Sequence, residues 1–120
     1  MSKLLINCTH AGDDPERATL SFIVGNVAAS ADQEAVVLLT IEGAWLAKPG
    51  CADGVQKEGF PALQDVMQQF VANGGQIWAC GTCAKPRGIT EAALIDGARI
   101  VTAAYVVQHL AQGGVNTLDF

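Results

Sequence analysis

The sequence predicts an α/β fold of three layers, α/β/α, built on a mainly parallel sheet of about five strands. Two observations carry this. Short apolar, β-branched runs alternate with longer helix-period segments along the whole chain. Most switches between the two are marked by Gly, Pro or a capping residue. Strands that alternate with helices are joined by crossovers, which pair the strands in parallel and cover both sheet faces. With 120 residues and no internal repeat or low-complexity tract, residues 1–120 are expected to form a single domain.

Leu4-Leu5-Ile6-Asn7-Cys8 reads as the first buried strand, followed by a polar loop over 9–13. Asp14 then stands as an N-cap with Pro15 in the first helical position and Glu16 next, opening a helix that runs to about Ala29. Ala35-Val36-Val37-Leu38-Leu39-Thr40 is a second buried strand, ended by Glu42-Gly43. Residues 44–59 hold Pro49, Gly50, Gly54 and Gly59 and read as a loop with at most a short helical turn.

Leu63, Val66, Met67, Phe70 and Val71 share one face of a helix over 61–72, which Asn73-Gly74-Gly75 stops. Gln76-Ile77-Trp78-Ala79-Cys80 is the third strand. Thr90 reads as an N-cap, with Ile89 and Leu94 as a hydrophobic staple over a short helix. Arg99-Ile100-Val101 is a short fourth strand. Thr102 caps a helix over 103–112 with Val101 and Val106 as its staple, and Val115 to Leu118 form a fifth strand.

Half of the residues are hydrophobic and 16% are charged, which excludes disorder and leaves apolar surface for subunit contacts, so a homo-oligomer is expected. A net charge of -5, with seven Lys and Arg spread thinly, offers no basic stripe for nucleic acid. No segment approaches the roughly 18 apolar residues of a membrane span, and the apolar run at the start is too short for a signal peptide. These features point to a cytoplasmic protein with no membrane partner. In that reducing compartment Cys8, Cys51, Cys80 and Cys83 are expected as thiols, not as a disulfide scaffold.

The chemistry concentrates in Trp78-Ala79-Cys80-Gly81-Thr82-Cys83-Ala84-Lys85-Pro86-Arg87-Gly88. Two cysteines three residues apart can form a disulfide, hold a metal, or pass sulfur or electrons. In an open parallel sheet the loops after the strand ends gather at one edge, so Cys8, Glu42 and Cys80, with His10, are expected to face one crevice. A helical turn over 81–85 would aim its positive end at Cys80, and Lys85 and Arg87 add charge that favours thiolate or binds an anionic substrate.

Plainer readings stand beside these. Cys80 and Cys83 can be small buried residues, and Cys51 an incidental loop cysteine. Trp45, with Lys48, can wall the crevice or simply pack. His10 can be a solvated loop residue, and His109 can serve the helix dipole. Cys80, Cys83, Cys8 and His10 also form a zinc-type donor set, although Cys8-x-His10 lacks the usual spacing.

Trp78 to Cys83 resembles the aromatic-cysteine motif of thioredoxin, but it follows the third strand and no proline lies beyond Pro86, where a thioredoxin-like fold needs a downstream cis-proline. The chain more closely resembles the DsrE/DsrF-like family of small sulfur-relay proteins. The likeness rests on an apolar strand ending in Cys80, the small-residue segment leading to Arg87-Gly88-Ile89, the acidic-glycine turn at Gly43, and Leu94-Ile95-Asp96-Gly97-Ala98-Arg99-Ile100 before the late strand.

The resemblance implies a sulfurtransferase or sulfur carrier in which Cys80 accepts sulfane sulfur as a persulfide. The sulfur then passes from a donor protein to an acceptor protein without metal or organic cofactor. Cys83 would be a resolving thiol or a packing residue, and Arg87, Lys85 and Gly43 would support the site. Two other functions remain open from the residues: a dithiol redox protein using Cys80 and Cys83, and a non-enzymatic small-molecule or nucleotide-binding module at the same sheet edge.

Overall fold

The structure, a computed structural model, describes residues 2–120. Its five strands are β1 (Lys3–Cys8), β2 (Glu34–Leu39), β3 (Gln76–Cys80), β4 (Ala98–Val101) and β5 (Val115–Asp119). They form one all-parallel sheet in the order β4-β3-β2-β1-β5. The helices are α1 (Pro15–Ser30), α2 (Leu63–Ala72), α3 (Gly81–Ala84) and α4 (Ala103–Ala111). The α/β/α architecture expected from the alternation is therefore present. Among the described residues no helix is long and apolar enough to cross a membrane.

Alternation along each strand divides the core between the two faces. Ile6, Cys8, Val37, Leu39, Ile77 and Ala79 face α1 and α2 in the larger core; Leu5, Val36, Leu38, Trp78 and Val101 form the smaller one. The chain steps outward from β1 through β2 to β3 with α1 and α2 on one face. It then reverses from β4 to β5, and the right-handed rule for parallel crossovers sends α4 to the other face. There the Trp78 ring meets Tyr105 and His109 edge-on, with centroids 5.1 and 4.9 Å away.

Local signals explain most boundaries. Asp14 caps α1 by accepting from the Arg17 N–H at 3.1 Å, and Pro15 occupies the first turn. Thr102 caps α4 through the Tyr105 N–H at 3.1 Å, and its staple partners Val101 and Val106 meet in the smaller core. α2 begins at Leu63, two residues later than 61, because Ala62 is extended and the Leu63 N–H bonds to the Val55 carbonyl at 3.1 Å. Its stripe packs on α1 through a T-shaped Phe22–Phe70 contact at 5.7 Å. Each such buried ring contributes roughly 1.5–3 kcal/mol by leaving water.

The helix expected after Thr90 does not form. Residues 89–97 are turns and irregular chain instead, because their backbone groups are used across the fold. The Ile95 N–H bonds to Ala47 O at 3.0 Å, and Gly97 O accepts from Ile77 N at 3.2 Å. Ile89, 3% exposed, sinks into the larger core. The stretch after β2 is more ordered than the glycine content predicts: Ile41–Ala47 is a 3₁₀ helix.

That 3₁₀ helix folds over the end of β1. The Thr40 N–H bonds to Cys8 O at 3.0 Å, and the Gly43 N–H to Thr40 O at 2.9 Å. Gly43 lies so close to β1 that a β-carbon there would overlap the Cys8 carbonyl. Gly43→Ala should therefore destabilise the fold by about 3 kcal/mol, as overpacking against an unyielding backbone does; a urea midpoint equal to wild type would show that the approach can relax.

Cys8 is 0% exposed and belongs to the core. Burial pushes its thiol up, against the opposing pull of the Ser21 side chain and the His10 backbone. Between the ordinary thiol range and the raised value, the native state holds a proton that the unfolded chain has released. The associated stability is full below the ordinary thiol range and is lost as pH rises through the raised value. Cys8→Ala should flatten the alkaline fall in stability, measured by urea unfolding at a series of pH values, and in the wild-type native state Cys8 should resist iodoacetamide until the chain unfolds.

Candidate functional site

The third strand ends at Cys80, which is half-buried and directly precedes α3. Its sulfur makes no capping hydrogen bond to the N–H groups of that turn. The chain continues as a 3₁₀ turn, Lys85–Arg87, and reverses at Gly88, whose φ of 69° lies in the left-handed region that favours glycine. The Ile89 N–H then bonds back to Ala84 O at 3.0 Å. The Arg-Gly-Ile sequence thus has a mechanical meaning: Arg87 emerges at the edge, Gly88 turns the chain, and Ile89 anchors it.

All four cysteines are free thiols. Cys83 packs against the larger core, on the α1 and α2 side. Cys80 continues the alternation of Gln76 and Trp78 and pairs with Val101, which places it toward the α4 side.

Arg87 is the organising side chain here. It donates through Nη1 to the Cys83 carbonyl at 3.0 Å and through Nη2 to Glu42 Oε1 at 2.8 Å. The two side chains retain 22% and 45% exposure, so the pair contributes about 1 kcal/mol or less. Arg87, read from the sequence as a cation for an anion at Cys80, is engaged in the structure by a carboxylate and a carbonyl. Lys85 is exposed. Glu42 reaches Arg87 from the 3₁₀ helix after β2, whose first residue, Ile41, has a φ of 56°. The Glu42–Arg87 pair escaped sequence reading because 45 residues separate its members and only β2–β3 adjacency unites them.

Cys8 does not share a crevice with Cys80. Cys8, Leu39 and Ala79 lie in one row of the sheet, so β2 intervenes and the Cα atoms of Cys8 and Ala79 are about 10 Å apart. Cys8 also faces the α1 and α2 core. The four-donor zinc set therefore does not assemble, and among the described residues no three His, Cys, Asp or Glu side chains gather as a metal site.

His10 instead pairs with Asp13, Nδ1 to Oδ2 at 2.7 Å, while the Ala11 N–H donates to Asp13 Oδ1 at 2.7 Å. Partial burial raises the Asp13 carboxyl, but the Ala11 N–H and His10 outweigh it and hold the group below its ordinary range.

Trp45 packs partly buried against the larger core, and Lys48 Nζ lies 5.8 Å from its ring centroid. Lys48 rims a cavity of about 560 Å³ bounded by 48–53, α2 and 94–96, whose lining includes neither Cys80 nor Cys83. Cys51 is half-buried in the loop beside it. His109 lies in the last turn of α4 against Trp78.

The described fold is similar to two solved structures along the full length of both chains. These are the ychN protein of E. coli, at 22% identity and TM-score 0.70, and the protein of unknown function MTH1491 of Methanobacterium thermoautotrophicum, at 15% and 0.72. In sequence, the uncharacterized protein MJ0760 of Methanocaldococcus jannaschii is 32% identical over 111 residues; the match spans 92% of this chain and 40% of that protein. The uncharacterized protein MK0008 of Methanopyrus kandleri is 28% identical over 87 residues, covering 72% of this chain and 69% of that protein. The profile of the DsrE/DsrF-like family matches residues 2–120, and the chain belongs to that family.

Proposed function

We propose that this protein is a sulfur-relay component, a sulfurtransferase or carrier, in which Cys80 accepts sulfane sulfur and passes it to a partner protein. The observation that carries this reading is the contrast between two strand-end thiols. Cys80 is partly open to solvent at the sheet's C-terminal edge, while Cys8 is sealed in the core. The Cys80 thiolate attacks the outer sulfur of a donor R–S–SH. The donor S–S bond breaks as a new one forms, giving Cys80–S–SH and R–S⁻, and an acceptor thiolate later removes the outer sulfur in the same way. Both steps are exchanges that require no oxidant, metal or organic cofactor.

Cys83 supports a second reading, a dithiol redox protein, because it is a half-buried free thiol one turn away. Its packing against the larger core favours a structural role over that of a resolving thiol. Incubation with cysteine persulfide followed by mass spectrometry separates the readings. The relay predicts the mass of one sulfur atom on the Cys80 peptide, lost in Cys80→Ser and retained in Cys83→Ser. A wild-type protein that acquires no sulfur at Cys80, but instead a reversible Cys80–Cys83 disulfide, would overturn it.

The relay also calls for donor and acceptor proteins, and the surface favours self-association. The nine residues of α4 are apolar apart from Gln108, His109 and the Tyr105 hydroxyl, yet none is fully buried, and Val107 is 64% exposed. A helix apolar nearly all round is normally covered, and a second copy of the chain is its proposed cover. The four thiols and acidic surface suit a reducing cytoplasm. Val107→Asp should reduce the mass measured by light scattering toward that of one chain without changing the far-UV circular dichroism; an unchanged mass would remove α4 from the interface.

A further inference from the structure

We infer that Glu42 is a positioning residue of the Cys80 site, acting through Arg87; this rests on the sulfur-transfer reading above. α3 has four residues and its 3₁₀ continuation three, far too few to hold a helical geometry alone. β3 and its pairing with Val101 set the direction of the Cys80 side chain, but the backbone that flanks the thiol from Gly81 onward belongs to that turn, whose geometry must come from contacts made elsewhere. Arg87 supplies one. Its fork satisfies the Cys83 carbonyl, at the end of so short a helix, and ties it to a carboxylate on the 3₁₀ helix after β2.

The backbone on both sides is shaped to hold this link. Ile41 occupies the left-handed region, a cost for any residue with a β-carbon and more so for a β-branched one. With 54% exposure, it recovers little of that cost through burial. Gly43, two residues on, is wedged against the Cys8 carbonyl. Glu42 is therefore held between a strained residue and a close backbone contact. On the other side, left-handed Gly88 and buried Ile89 pin the base of Arg87. Strain of this kind persists where surrounding structure enforces it, and here both constraints converge on one ion pair.

The pair also decides where the guanidinium charge goes. With Glu42 ionised, Arg87 is held on the carboxylate and the Cys83 carbonyl. Glu42→Gln keeps a hydrogen-bond acceptor and the side-chain shape but removes the charge that retains the fork.

The test uses the full chain and the variants Glu42→Gln, Glu42→Asp and Arg87→Lys. Initial rates of sulfur loading onto Cys80 from cysteine persulfide are read by mass spectrometry. Rates of Cys80 alkylation by iodoacetamide are measured across a pH series, and hydrogen exchange is followed over residues 81–89. Glu42→Gln should slow loading by about tenfold, the scale of a small misplacement of a reacting group. It should also move the pH profile of alkylation and lower amide protection at Gly88 and Ile89, with the unfolding midpoint unchanged.

Glu42→Asp should recover part of the rate because it restores the charge. Arg87→Lys, which cannot span both acceptors, should resemble Glu42→Gln. Wild-type loading and a wild-type alkylation profile in Glu42→Gln would overturn the inference. If wild-type Cys80 takes up no sulfur, the relay reading fails by itself, and the alkylation and exchange measurements still decide whether Glu42 positions Cys80.

Discussion

Burial of β1, β2 and β3 on both faces is the constraint from which the rest of the structure follows. Ile6, Val36, Val37, Leu39 and Ile77 are each 0–1% exposed, so the polar backbone between them has no access to water and must be paired strand to strand. An unpaired buried N–H or C=O costs on the order of 1–3 kcal/mol. The strands are too short and too apolar to meet that demand except side by side. Parallel pairing then requires crossovers long enough to hold helices, and those helices bury the two faces that the strands present.

The same constraint creates the candidate site. Parallel strands end together, so the 3₁₀ helix after β2 and the turn after β3 emerge as neighbours although they are far apart in sequence. The turn that begins at Cys80 lacks the length to support itself, and Arg87 at its end ties it to Glu42 on the 3₁₀ helix after β2. A polar link thus joins the turn after β3 to the 3₁₀ helix after β2. Gly43, Gly88 and Ile89 make that link geometrically possible. At this edge Arg87 donates to the Cys83 carbonyl and the Glu42 carboxylate.

Asymmetry between the faces has a different consequence. Among the described residues, one face has α1, α2 and the irregular 89–97 segment, while the other has only α4. Trp78 fills much of the space beneath α4, with Arg99 stacked 5.1 Å from its ring centroid and Tyr105 and His109 around it. The tryptophan that gave the cysteine stretch its thioredoxin-like look is therefore a core residue of the second face. Its conspicuous place two residues before Cys80 reflects the period of the strand.

The sequence by itself determined the strands, α1, α2 and α4, the parallel fold and the position of Cys80 at a strand end. These follow from local chemistry: period-2 and period-3.6 patterns, the caps at Asp14 and Thr102, and glycines that stop helices. Where local signal and long-range bonding disagreed, long-range bonding prevailed. The Thr90 cap and its staple residues opened no helix, because the backbone of Ile95 and Gly97 is committed to Ala47 and Ile77. Only the tertiary structure decided that Cys8 is sealed away from Cys80, that Cys83 packs on the larger core, and that Arg87 pairs with Glu42. Which side of a sheet a residue faces, and which loop stands beside it, are properties of strand order and register, and no window of neighbouring residues contains them.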